Sequence, residues 1–152
     1  MAFHKYLLEV EETLRLLSYM NVIQNHVSAQ FVRVVPHRLS MAQFSILHYF
    51  SSRRDACETI QGLAHMFGLS KASVGESVEK LAKKKFVSVR VNEEDKRSKL
   101  VSITEKGLEA YGDALAALRP LLKDMRDGVG EETFQQAGEL LLPLRDWLRE
   151  NK

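Results

Sequence analysis

Little in this chain of 152 residues suits catalysis, metal binding or life in a membrane. Its one cysteine, Cys57, rules out an internal disulfide and lies in the polar stretch RRDACET. The five histidines, His4, His26, His37, His48 and His65, are too scattered for a ligand string, and neither HExxH nor a paired-cysteine spacing occurs, so no metal is expected. No GxSxG elbow, phosphate-cradling glycine loop, or cysteine and histidine couple with a supporting acid is present. An enzyme is therefore not expected, and no cofactor is implied. No stretch approaches the roughly 20 apolar residues of a membrane span, and MAFHKYLLEVEETL carries acids where a signal peptide would be apolar. The expected location is the cytoplasm. Proline occurs three times, so Pro36, Pro120 and Pro143 each mark a place where a helix must stop or adapt.

What the chain does have is an uneven distribution of charge. A formal net charge of +2 conceals nine Lys or Arg against five acids over residues 68–100, and seven against ten over residues 101–152. A basic middle beside an acidic tail fits a nucleic-acid face built into a scaffold that phosphate would otherwise repel. With 45% hydrophobic residues the chain can bury the core of one ordinary domain.

Helical spacing dominates the two ends. Leu7, Leu8, Leu14, Leu17, Val22, Ile23, Val27, Phe31 and Val34 repeat along Phe3 to Val35, and Pro36 ends that run. Ser40 with Gln43 three residues later forms a capping box opening a second helix, with Phe44, Ile46, Leu47 and Tyr49 expected inward. Thr104 caps a long helix expected through Asp127, carrying the stripe Leu108, Tyr111, Leu115, Leu118, Leu122 and Met125; Pro120 should bend it, and Gly128 and Gly130 should end it. From about Glu131 a last helix gathers Phe134, Leu140, Leu141, Leu142, Leu144, Trp147 and Leu148, with Pro143 expected to interrupt it. That is more apolar surface than one thin element can hide alone, which favours a second copy of the chain over an intrachain bundle.

Between these ends lies a helix-turn-helix pattern followed by a hairpin. Thr59 to Phe67 supplies a short amphipathic helix, Gly68 permits the positive φ of a tight turn, and Ser70 caps the next helix. In that second helix Val74, Val78, Leu81 and Ala82 share one face, while Lys71, Ser73, Glu76, Ser77 and Lys80 are expected on the other. Ser73, Gly75 and Ser77 are small enough for the helix to sink into a major groove, and the amides near Ser70 and Lys71 can hold a phosphate. Val87, Val89 and Val91, then Val101 and Ile103, alternate with polar residues as half-buried strands do. The turn Asn92 to Ser98 carries Lys96 and Arg97 outward, with Asp95 placed to hold the Arg97 fork.

Taken together, LAHMFGLSKASVGESVEKLAKKKFVSVRV followed by NEEDKRSKLVSITEKG resembles the winged helix-turn-helix of the MarR family of bacterial transcription regulators. The likeness runs from about Leu39 to Gly107, and the flanking helices extend it over nearly the whole chain. It implies a mainly α fold with a small β-hairpin wing, as a single MarR-like domain over residues 1–152. The winged helix-turn-helix lobe would span 39–103, and the helical dimerisation region 1–36 and 104–152. It further implies a homodimer on double-stranded DNA, most simply a repressor on an imperfect palindrome. Lys71, Ser73, Ser77 and Lys80 would work in the major groove, Arg97 in the neighbouring minor groove, and Lys96, Lys99 and Arg90 near phosphates, with Ser70 at the helix start and Asp95 positioning Arg97. Members of the family are often switched by small aromatic anions, for which Tyr19, His26, Phe44, His48 and Tyr49 can line a pocket, although each also suits a packed position. Peroxide-sensing members carry their reactive cysteine in the first helix, where this chain has none, so Cys57 reads as an ordinary thiol. The chain departs from the family pattern at Glu76, often basic or neutral there, and at Lys85, where the turn usually has glycine. Lys85 must either take a left-handed conformation or end its helix differently. Two further classes fit the same pattern: a winged protein-interaction module, favoured by the acids Glu76, Glu93 and Glu94, and a small-molecule carrier without DNA affinity.

Overall fold

The computed structural model describes residues 2–151, with side chains from residue 10 onward. In chain order the elements are helix α1 (Ala2–Val34), a 3-10 turn (Pro36–Arg38), α2 (Met41–Ser51), strand β1 (Glu58–Thr59), α3 (Ile60–Phe67), α4 (Lys71–Lys83), β2 (Val87–Val91), β3 (Lys99–Ile103), α5 (Glu105–Val129) and α6 (Glu131–Glu150). The fold is thus mainly α with a small β-hairpin wing, as the pattern predicts. The chain divides into two compact units, Met1–Val34 and Val35–Lys152.

The first unit is α1, a helix about 50 Å long. Leu14, Leu17, Val22, Ile23 and Val34 of the expected stripe are exposed along it, and Leu7 and Leu8 lie outside the described side chains.

The second unit begins with a strained knuckle. After Pro36, His37 and Arg38 both take positive φ, at 62° and 51°, which costs roughly 1–2 kcal/mol for each residue with a Cβ. Lys84 offsets that cost by donating its ammonium to the carbonyls of His37 (2.6 Å) and Arg38 (3.3 Å). Partial burial, then the nearby positive charges of Arg38 and Lys80, hold the Lys84 ammonium below the usual lysine range. The His37 ring lies 2.9 Å from an Asp113 carboxylate oxygen on α5.

The remaining elements are set by their caps. Ser40 and Gln43 close a reciprocal capping box at the start of α2. Thr59 accepts from the Gly62 amide, Ser70 from Ser73 and Thr104 from Gly107, so α3, α4 and α5 each begin where a hydroxyl falls. At the end of α3, Gly68 takes φ 66°, and the amides of Gly68 and Leu69 return to the carbonyls of His65 and Ala64. The end of α4 repeats this geometry without glycine. Lys85 takes φ 63°, its amide donates to the Ala82 carbonyl (2.9 Å), and the Phe86 amide donates to that of Leu81 (3.0 Å). Lysine therefore adopts the left-handed conformation, and β2 begins two residues on at Val87.

Ile46, Leu47 and Phe50 of α2, Leu63 of α3, Val74, Val78 and Leu81 of α4, Phe86, Val101, and Ala110, Ala114 and Leu118 of α5 form the core. The inward side of α5 carries Gly107, Ala110, Ala114 and Leu118, so of the expected stripe Leu118 is buried while Leu115 and Leu122 are exposed. The sheet order is β1-β3-β2, all antiparallel, with Val89 opposite Val101 and Arg90 opposite Leu100. Only Val87 of β2 is buried; Val89 and Val91 are 36% and 57% exposed, because the hairpin leaves the lobe as it extends. The expected break after α5 is found two residues later than Asp127: the helix continues through Gly128 to Val129 and ends at Gly130 (φ 96°). The interruption expected at Pro143 does not occur, and α6 runs through it. Pro143 is exposed, so the carbonyl left without its amide partner can turn to water rather than end the helix.

Substituting Lys85 by glycine should remove the left-handed strain, less the added freedom of the unfolded chain, for a net gain of about 1 kcal/mol. Thermal melting should then rise by roughly 2–4 °C for a domain of this size. An unchanged or lower melting temperature would show that the lysine is not strained.

Candidate nucleic-acid interface

Helix α4 presents the most exposed polar face beside the wing. Val74, Val78 and Leu81 are buried, which turns Lys71, Ala72, Ser73, Glu76, Glu79, Lys80 and Lys83 to the outside. Ser77 is different from its expected placement: only 9% of it is exposed, and its hydroxyl donates to the Ser73 carbonyl at 3.0 Å. At about 100° per residue Ser77 lies only about 60° from Val74, so it falls on the inner edge of the helix. The outer face instead carries two ion pairs, Lys80 to Glu76 at 2.6 Å and Lys83 to Glu79 at 2.7 Å. Glu79, Lys83 and Ala72 were not anticipated as parts of this face, although their spacing from Val74 places them there. The Lys83 hydrogen bond and its charge, with Lys80 and Lys99 farther off, keep the Glu79 carboxyl below the ordinary glutamate range. Gly75 has no atom within 4 Å of the position its Cβ would take, so the backbone there is open to close approach.

The wing follows α4 directly, through the turn at Lys84 to Phe86. Lys99 on β3 is close enough to act electrostatically on Glu79 of α4. Beyond it the tip is ordered by its own side chains. Asn92 and Ser98 pair through backbone (3.1 Å) and side chains (3.0 Å), the Ser98 amide donates to the Asp95 carbonyl (2.8 Å), and the Glu94 amide donates to the Asn92 side chain (3.1 Å). Asp95 accepts the Arg97 amide at 3.1 Å, and its carboxylate lies 3.5 Å from the Arg97 Nε. Asp95 therefore fixes the backbone of the tip more than it grips the guanidinium, whose side chain is 96% exposed. Lys96 is exposed beside it. Arg90 stands apart from this group. It is paired with Leu100 across the hairpin, so it projects from the sheet face opposite Val89, Val101 and Lys99, and its Nη2 donates toward the Cys57 sulfur at 3.5 Å. That contact with the thiol, helped by Glu93, holds the guanidinium pKa up. Cys57 thus meets Arg90 rather than the sequence-adjacent Arg53 and Arg54; Arg53 instead lies over the Tyr49 ring at 4.8 Å.

Of the five candidate pocket residues, two belong to the first unit and three to the second. Tyr19 and His26 are exposed on α1 in the first unit. In the second unit Tyr49 packs edge-on to Phe50 and Phe67. Phe44 and His48 gather with Tyr111 of α5, where His48 Nδ1 and the Tyr111 hydroxyl are 2.8 Å apart and the Phe44 and Tyr111 rings stack at 5.5 Å. Among the described residues no group of three His, Cys, Asp or Glu lies together as a metal site would need, and no helix is long and apolar enough to cross a membrane.

A capped helix-turn-helix with an ordered basic hairpin beside its second helix defines the winged helix-turn-helix class. The chain belongs to the SarA/Rot transcriptional regulator family, whose model matches residues 33–113, more than half of its length. It is a transcriptional regulator of the winged-helix, MarR type. Among solved structures it is similar to the transcriptional regulator BldR of Sulfolobus solfataricus, at 26% identity and a TM-score of 0.76 over 93% of this chain and 97% of that one. It is similar in fold to a MarR mutant of E. coli complexed with operator DNA, at 18% identity and a TM-score of 0.75, covering 88% of this chain and 95% of that one. The PcaV regulator of Streptomyces coelicolor, in complex with its natural ligand, shares 13% identity and a TM-score of 0.74 over 84% and 89% of the two chains. No curated protein matches the sequence significantly.

Replacing Asp95 by alanine should loosen the tip alone. Amide exchange at Arg97 and Ser98 should quicken roughly fivefold, the equivalent of about one hydrogen bond. The melting temperature should stay put, because the site is exposed. Unchanged exchange would show that Asp95 does not order the tip.

Proposed function

We propose that two copies of this chain bind one duplex, each with α4 in a major groove and its wing over the neighbouring minor groove, and repress transcription from the cytoplasm by occluding a promoter. The observation that carries this reading is the joint between α4 and the wing: Thr104 at the end of β3 bonds the Lys85 and Phe86 carbonyls just after α4, while the outer face of α4 is exposed and the Arg97 side chain at the wing tip is 96% exposed. The winged lobe of residues 39–103 supplies the reading surface, and the helices of 1–36 and 104–152 hold the two lobes apart. Two-fold readers of this kind space their half-sites by about one helical turn, roughly 34 Å, so the operator is an imperfect palindrome. In support of a dimer, no residue of α6 is buried, and Leu140 and Trp147 are 79% and 60% exposed, more apolar surface than a monomer of this size leaves open.

Within this assembly Arg97 enters the minor groove, Lys96 and Lys99 meet phosphates, and Lys71 and Ser73 with the amides at Ser70 meet the backbone at the helix start. The wild-type chain should sediment at twice its mass and bind duplex DNA with a steep salt dependence. Arg97→Ala should weaken all sequences and lower the slope of log K against log salt by about one. Ser77→Ala, on the buried edge of α4, should leave that slope unchanged. A monomer that binds no duplex at low salt would reject the reading and leave the chain as a protein-interaction module or a small-molecule carrier.

The Phe44, His48 and Tyr111 cluster supports a second element, control by a small aromatic anion. Two stacked rings offer a flat surface, and an imidazole paired with a phenol offers polar atoms beside it. Such a ligand must favour a dimer whose α4 spacing no longer fits the grooves. Benzoate should raise the melting temperature of the wild type and not of His48→Ala; equal shifts in both would remove this cluster as the site.

A further inference from the structure

The outer face of α4 poses a problem that the phosphate contacts do not solve. Glu76 lies about 200° around the helix from Val74, almost opposite the core, where a helix in a major groove comes nearest the base edges. A bare carboxylate there would be repelled by the phosphates on either side. Glu76 is not bare, because Lys80 one turn on donates to its Oε1 at 2.6 Å. Its Oε2 has no partner among the described residues, and the Lys80 ammonium keeps donors to spare. The neighbourhood on the helix is small or turned away: Ala72 and Ser73 lie one turn before, Gly75 has open space beside it, and Ser77 faces inward.

We infer that the Glu76 and Lys80 pair reads a C·G base pair in the major groove, a specificity that rests on the DNA-binding reading above. Oε2 of Glu76 accepts from the cytosine N4 amine, and Lys80 donates to the guanine O6 next to it across the pair. The match follows from the edges the bases present. An ionised carboxylate can only accept, so it needs an amine. Cytosine offers N4 beside a C–H, whereas adenine offers N6 beside the N7 lone pair, which would face the carboxylate acceptor to acceptor. Guanine then completes the fit, because its O6 and N7 are both acceptors for an ammonium. Glu76 discriminates at the cytosine, while Lys80 contacts the guanine and also cancels the Glu76 charge against the backbone.

The test is selection from random duplexes with the full chain as wild type, Glu76→Ala and Glu76→Gln, followed by titration of the selected site and its single-base variants. The wild type should select a cytosine at one position in each half-site and lose roughly tenfold in affinity when it is replaced. Glu76→Ala should keep the rest of the site and lose that preference to within about twofold. Glu76→Gln should move the preference toward adenine, since an amide can donate to N7 while accepting from N6. Matching melting temperatures would show the variants folded, as expected for an exposed side chain. Retention of the cytosine preference in Glu76→Ala, or the absence of any such cytosine in the wild-type site, would overturn the inference while leaving DNA binding in place. A wild type that selects no duplex would overturn both.

Discussion

One carbonyl holds the reading surface together. The Phe86 oxygen accepts the Thr104 amide at 3.1 Å, and the Thr104 hydroxyl donates to the Lys85 carbonyl next to it at 2.7 Å. Thr104 is at once the end of the wing and the cap of α5. Phe86 is at once the residue that closes α4 and the one that opens β2. The two contacts therefore tie the last turn of the reading helix, both strands of the wing and the first turn of α5 into one joint. Gly107 belongs to that joint, because a Cβ on it would lie 2.0 Å from the Phe86 oxygen. Lys85 accepts a strained conformation so that the chain can turn into it. The end of α4 and the base of the wing are thereby held to one another.

Charge is divided across that surface by task. On α4 the outward carboxylates Glu76 and Glu79 are each matched by a lysine one turn on, so in the proposed complex the part of the surface facing the bases carries little net attraction for phosphate. On the wing the tip cations are exposed and hold their direction through backbone bonds among Asn92, Asp95 and Ser98 rather than through close ion pairing. In that proposed complex, long-range attraction, salt dependence and sequence preference are set by different residues, the phosphate contacts setting affinity and the base edges setting choice.

Where a local rule decides the structure, the sequence is legible. The box at Ser40 and Gln43, the hydroxyl caps at Thr59, Ser70 and Thr104, the left-handed turn at Gly68 and the limits of the hairpin all follow from short-range chemistry, and all are found. Lys85 is half legible, since the sequence poses two alternatives and the structure takes the left-handed one. Features that depend on what lies across the fold are not legible. The two residues of β1 are too few to show a period, and they become a strand only because β3 passes beside them. Val89 and Val91 alternate like buried residues but extend past the lobe that would bury them. Pro143 stays inside α6, where its exposed position lets solvent reach the carbonyl that loses its amide partner. At the site itself, the outward exposure of Lys71, Ser73 and Lys80 was readable from spacing, as was Arg97 from the turn. The inward turn of Ser77 needed a finer wheel centred on Val74. The meeting of Arg90 with Cys57, 33 residues apart, had no signal in sequence at all.

The most direct measurement of the whole account is a chemical footprint of the wild-type chain on a duplex it has selected, read in both grooves and on both strands. If α4 and its wing act as one rigid reader in each of two copies, guanine N7 should be protected in two major-groove patches about one turn apart. Minor-groove protection should flank them on the outer sides, and the whole pattern should map onto itself by a two-fold rotation. Protection confined to one unrepeated patch, or to the sugar-phosphate backbone with the groove edges left reactive, would contradict it.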